Sequence, residues 1–206
     1  MLITRRTFFG TSLACAVPII PAIGQGYGSE TRTAEVDLNR TFYASQRKNE
    51  WCWAACVSMV FAYNHHPVDQ ERIVDEAYGG PYNLPAQPIL ISQSLNRQWT
   101  DDDGNEFSSR LAAAYDQFAG VLSISNDYIV RALDNDRPLI IGARTHAMLL
   151  TAVEYAETPY GIRIINAGVF DPWPGVGKRS LGSDELYPAY QGGSLFYIAS
   201  IRVFDL

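Results

Sequence analysis

The chain has 206 residues, 47% of them hydrophobic and 12% aromatic, enough to bury one sizeable core and short for two independent ones. Its 16 basic and 22 acidic side chains give a formal charge of −6, without the clustered Lys and Arg that a nucleic-acid surface requires. The three cysteines, Cys15, Cys52 and Cys56, form neither paired CxxC halves nor a Cys/His cage, so neither a disulfide framework nor a structural metal is indicated.

Residues 1–24 read as an export signal. Thr4-Arg5-Arg6-Thr7-Phe8-Phe9 leads into an apolar run to Ile23 that Pro18 and Pro21 interrupt, and small residues at Ala22 and Gly24 suit cleavage near Gly24. The run is too short and too broken to span a bilayer. The paired arginines before Phe8 resemble the twin-arginine signal, so the expected product is periplasmic or secreted and keeps no stable membrane anchor. Residues 25–41 lack periodicity and read as a linker or N-terminal arm, with the folded domain over 42–206.

Within that domain, apolar positions from Trp51 to Asn64 recur at helical spacing, with Asn49 as the expected N-cap. A second helix is expected over Asp69–Tyr78, ended by Gly79-Gly80-Pro81. A hairpin follows, turning at Asp103-Gly104. Its acids do not match an EF-hand, because Gly104 falls two places early. A short helix near Asp127–Asn135 precedes four strands, Pro138–Ala143, His146–Tyr155, Gly161–Ala167 and Ser194–Phe204. Helices first and strands last predict an α+β fold, a helical half packed on an antiparallel sheet.

Cys52 opens the strongest helix, where unpaired backbone N–H groups and the helix dipole favour a thiolate. Cys56, one turn on, reads as a small buried hydrophobe. A base must reach the thiol. His65 lies thirteen residues along, about 20 Å away at 1.5 Å per residue, so His65 and His66 read as solvated cations at a helix C-terminus. His146 is left by elimination. Gln46, six residues before Cys52, brings an amide that can reach the same point as the Cys52 N–H and stabilise an oxyanion.

Gln46, Cys52-Trp53-Ala54, His146 and Asp171-Pro172-Trp173, in that order, resemble the papain-like cysteine peptidases. The fuller set from Gln46 through Trp51-Cys52-Trp53-Ala54-Ala55-Cys56, Gln70, Ile73-Val74, His146-Ala147 and Asp171 looks like the compact bacterial members. Those are related to the double-glycine leader peptidases and to an effector protease of plant pathogens. The resemblance implies a papain-like fold, with the catalytic helix of the N-terminal half packed on a C-terminal antiparallel sheet or barrel. It also implies a protein or peptide substrate, a Cys-His-Asp triad, and no cofactor or metal. Carried over, Cys52 is the nucleophile, His146 the base and Gln46 the oxyanion donor. The sequence lacks papain's large propeptide and its Asn-Ser-Trp segment. The same residues also serve acyl transfer to amines and side-chain deamidation, and a non-catalytic binding protein can retain the fold.

The third residue follows from strand register. The segment Ala156–Gly161 is a natural hairpin connection, and a turn centred between Thr158 and Pro159 places Asp171 directly opposite His146. Asn166 then faces Thr151 on the other side of the sheet. Asp171 is therefore expected to orient His146.

Overall fold

Residues 30–40 and 42–206 are described by the computed structural model. The expected export signal, 1–24, lies outside them. Nine strands, β1 (Thr31–Glu35), β2 (Gln98–Thr100), β3 (Glu106–Asp116), β4 (Val121–Leu122), β5 (Leu139–Ala143), β6 (His146–Thr158), β7 (Gly161–Asp171), β8 (Gly177–Ser180) and β9 (Leu195–Asp205), form one sheet. Among the described residues five helices accompany it, α1 (Cys52–Tyr63), α2 (Gln70–Tyr78), α3 (Pro88–Ser94), α4 (Asn126–Asp134) and α5 (Ser183–Leu186). The strand order is β2-β3-β9-β5-β6-β7-β8 and every pairing is antiparallel, with β4 added to β3 and β1 to β6. This is the expected α+β arrangement, with helices packed on an antiparallel sheet. Among the described residues no helix is long and apolar enough to cross a membrane.

The helix carrying Cys52 is apolar on nearly every side. Trp53, Ala54, Ala55, Cys56, Val57, Met59, Val60, Phe61 and Tyr63 are all buried, as expected of a helix enclosed by its protein rather than laid on a surface. It packs on β5 and β6 and against α2 and α3. Asn49 does not cap it. The residue before α1 is Trp51, with no side-chain cap, and Asn49 instead gives its carbonyl to the Gln46 amide at 2.8 Å. The second helix follows the expected pattern, since the Asp69 carboxylate accepts the Glu71 N–H and Gly79 closes the end at φ 70°.

The far end of α1 holds a correction. His65 takes the left-handed conformation at φ 68°, its N–H bonds to the Ala62 carbonyl and that of His66 to Phe61, each at 3.0 Å. That is a Schellman closure built without glycine, and it turns His66 inward. His66 is buried rather than solvated, its ring stacked 4.3 Å from Phe107. Nδ1 lies 2.9 Å from Asp101 and Nε2 2.9 Å from Asp205, so one imidazole joins the end of α1, the β2–β3 hairpin and β9.

The stretch read as a linker or arm contributes β1, which adds to β6 through its residues 152–156. The domain thus starts before Phe42. In Thr31–Glu35 only Ala34 is buried, too little apolar content to announce a strand. The first five residues of β6 pair with β5 on the same edge that later receives β1. Thr151 falls between the two, and its carbonyl accepts the Val36 N–H at 3.0 Å.

Candidate active site

Cys52 is the first residue of α1, a terminus with no acidic residue in its first turn and no side-chain cap. The first-turn N–H groups and the positive end of the dipole are therefore open to an anion beside the sulfur. Cys52 is partly exposed, whereas Cys56 is fully enclosed. Burial pushes the Cys56 thiol well above its usual range, and the neighbouring Cys52 and Asp171 charges add to that. The Ala147 N–H donates to Cys52 Sγ at 3.5 Å.

His146 begins β6, one residue past the tight turn in which Arg144 has φ 57°. Its Nε2 lies 2.6 Å from Asp171 Oδ1, which leaves Nδ1 clear of that carboxylate, and Cys52 is near enough to act on the charge of the ring. Burial alone would make the imidazolium less stable. The hydrogen bond to Asp171 and the interaction with Cys52, together with the charges on both, outweigh it, raising the pKa to about 9. Asp171 closes β7 and is buried. Burial opposes its ionisation too, but hydrogen bonds from His146, the Trp173 N–H and Arg179 hold it down to about 2. The Trp173 and His146 rings are edge to face, centroids 6.3 Å apart.

Gln46 is buried beside this group, tied by its own N–H to the Pro172 carbonyl at 2.8 Å. Its side-chain amide donates to the carbonyls of Lys48 at 3.0 Å and Asn49 at 2.8 Å, while Oε1 is buried without a hydrogen-bond partner. Both amide protons are thus engaged with the turn that leads into α1.

One residue of the cluster was not anticipated. Arg179 on β8 donates from Nε to Asp171 Oδ2 at 2.9 Å and forks onto Glu185, Nη1 to Oε2 at 2.8 Å and Nη2 to Oε1 at 2.9 Å. Gly177 faces Asp171 across the β7–β8 ladder, so Arg179 is a diagonal neighbour on the same face. The only sequence signal was a cation eight residues past Asp171 beyond a Pro-Gly turn. Among the described residues no three His, Cys, Asp or Glu side chains converge as metal ligands.

The model of a family described as papain-like cysteine protease AvrRpt2 matches residues 33–188, most of the chain. The chain belongs to this family. It is a papain-like cysteine peptidase. No curated protein matches it.

In the peptidase, the expected opposition of His146 and Asp171 is displaced by two residues along β6. The β6–β7 loop is the two residues Pro159-Tyr160, with Thr158 paired to Gly161. The last ladder pair is Leu149 with Phe170, which brings Asp171 level with Met148 and diagonal to His146. Two bulges intervene, at Ile165 in β7 and Thr151 in β6, and they cancel, so Asp171 keeps the same face. Asn166 pairs with Glu154, not Thr151. That is eight residues along β6 from His146, about 26 Å at the rise of a strand.

Proposed function

We propose that the peptidase cleaves peptide bonds by covalent catalysis, with Cys52 as nucleophile, His146 as general base and acid, and Asp171 as the residue that orients the imidazole. The carrying observation is one run of contacts: Cys52 Sγ accepts the N–H of Ala147, the residue after His146, at 3.5 Å, and His146 Nε2 is held 2.6 Å from Asp171. The Cys52 thiolate attacks the scissile carbonyl carbon, and the oxygen that gains charge lies beside the Cys52 N–H at the open end of α1. Gln46 joins as second donor by giving up one carbonyl contact, since a hydrogen bond to a full negative charge is stronger than one to a neutral carbonyl. His146 protonates the leaving amine, leaving a thioester on Cys52. Water, deprotonated by His146, hydrolyses that thioester and restores the thiol.

The test is product analysis on a peptide library with wild type and Cys52→Ala. New amino termini with wild type alone support cleavage. A mass gain of the acyl fragment on Cys52 supports the thioester, and products with side-chain amides lost but chains intact would replace the reading with deamidation. Export forms part of the proposal: Lys at positions 5 and 6 should strand the precursor in the cytoplasm, because the twin-arginine route requires both guanidinium groups.

A further inference from the structure

We propose that Arg179, held by Glu185, is a positioning residue that fixes the Asp171 carboxylate toward His146 while leaving its negative charge available to the imidazolium. This rests on the reading of Cys52, His146 and Asp171 as the catalytic group.

A carboxylate can turn about its Cβ–Cγ axis, so orienting an imidazole requires that both oxygens be assigned. Oδ1 of Asp171 takes His146 Nε2 at 2.6 Å and the Trp173 N–H at 2.9 Å, and Oδ2 takes Arg179 Nε at 2.9 Å. The guanidinium plane is itself fixed. Its two terminal nitrogens fork onto Glu185, Nη1 also donates to the Ser180 carbonyl at 3.1 Å, and Nη2 meets Met148 Sδ at 2.8 Å. Glu185 is buried and anchored by the Gly182 N–H at 2.8 Å. Only a planar group with donors on three edges satisfies Asp171 and Glu185 together.

Charge gives Glu185 its part. A lone cation against Asp171 would compete with the imidazolium for the same carboxylate, weakening the His146–Asp171 pair. The Glu185 carboxylate neutralises Arg179, so the guanidinium directs Asp171 with little net charge of its own. The ionisable groups around His146 and this pair are Cys52 on α1, Asp171 on β7, Arg179 on β8, and Glu185 on α5. Arg144 in the β5–β6 turn bonds Asp184, and its charge acts on Glu185.

The experiment compares Arg179→Leu/Glu185→Leu, which leaves no unpaired buried charge, with Arg179→Lys and Glu185→Gln. Each is read by kcat, KM, thermal unfolding and the pH profile of Cys52 alkylation by iodoacetamide. The double variant should keep KM within about twofold and lose kcat by roughly tenfold or more, the scale of a catalytic group held less firmly. Its alkaline limb of alkylation should move to lower pH as His146 loses a fixed partner. Arg179→Lys, with charge but no fork, should not restore kcat, and Glu185→Gln should shift the limb the same way. A folded double variant with unchanged kcat and limb, or full activity in Arg179→Lys, overturns the inference. Cys52→Ala separates the two readings: turnover in that variant defeats the catalytic assignment itself, whereas its inactivity beside a fully active double variant defeats only the role of Arg179.

Discussion

The backbone N–H of Gln46 donates to the carbonyl of Pro172 at 2.8 Å, so the segment entering the Cys52 helix is bonded to the segment that leaves Asp171. The proposed nucleophile and orienting carboxylate come from opposite halves of the chain, and this bond is joined by a second link between the two segments, Tyr43 OH to the Asp171 carbonyl at 3.3 Å. Gln46→Ala keeps that backbone bond and removes only the amide. It should lower kcat by roughly 10²-fold or more, the size of one lost oxyanion donor, with a smaller fall in Tm from the freed Lys48 and Asn49 carbonyls. An unchanged kcat, measured with unfolding on the same sample, removes Gln46 from the site.

The two cysteines of α1 should separate cleanly. Cys52→Ala abolishes turnover without loss of fold, since that side chain is partly exposed. Cys56→Ala leaves kcat in place and destabilises the protein by about 1 kcal/mol, the cost of a small vacancy in a packed core. Equal loss of activity in two folded variants contradicts the assignment.

Asp171→Ala should cut kcat by roughly 10²–10⁴-fold, as expected when an imidazole loses the group that fixes its tautomer. Asn166→Ala should be mild, because Asn166 accepts only the adjacent Ala167 N–H, at 2.9 Å, and faces Glu154. Steady-state kinetics on both variants decides, and the reverse order of damage transfers the role to Asn166.

The shifted groups fix a pH window. His146 rises from 6.5 to about 9, so its contribution to stability is complete below 6.5 and is lost as pH rises through 9. Asp171 falls from 3.8 to about 2, so its contribution is complete above 3.8 and is lost as pH falls through 2. Both are whole between 3.8 and 6.5, and unfolding in denaturant should show no loss from either group there. The alkaline limb of kcat/KM should lie near pH 9. A limb near 6.5 would show that Asp171 and Cys52 do not hold the imidazolium.

His66→Leu should lower Tm by several degrees and leave kcat/KM unchanged. It removes hydrogen bonds that join α1, the β2–β3 hairpin and β9 at a point away from Cys52. Loss of activity at full stability would place His66 in the catalytic machinery instead.

Much of this arrangement is written locally. Helical spacing after Trp51 and the apolar strand-like runs after Pro138 mark α1, β5, β6, β7 and β9 within a few residues, because these elements supply most of the buried core. Positions fixed by distant partners are not marked. Thr31–Glu35 becomes a strand only because β6 offers it an edge, and Pro88–Ser94 is a short helix buried chiefly through Pro88, Ile91 and Ser94. Asp171 reached the correct face from an incorrect register, since bulges at Thr151 and Ile165 cancel and neither residue type announces a bulge. Arg179 was illegible for the same reason: its partners Asp171 and Glu185 are set by the turns on either side of β8, not by any periodicity in Gly177–Ser180. His66 was misread because a Schellman closure usually carries glycine where this chain has His65.

The edge-on packing of Trp173 against His146 has a spectroscopic consequence. Of the four tryptophans, Trp51, Trp53 and Trp99 are buried, while Trp173 is 48% exposed and should dominate the long-wavelength emission. An imidazolium quenches indole fluorescence far more than neutral imidazole does, and here the centroids are 6.3 Å apart. The red edge of the emission should therefore brighten as pH rises through His146 deprotonation, giving an optical titration of the proposed base without substrate or label.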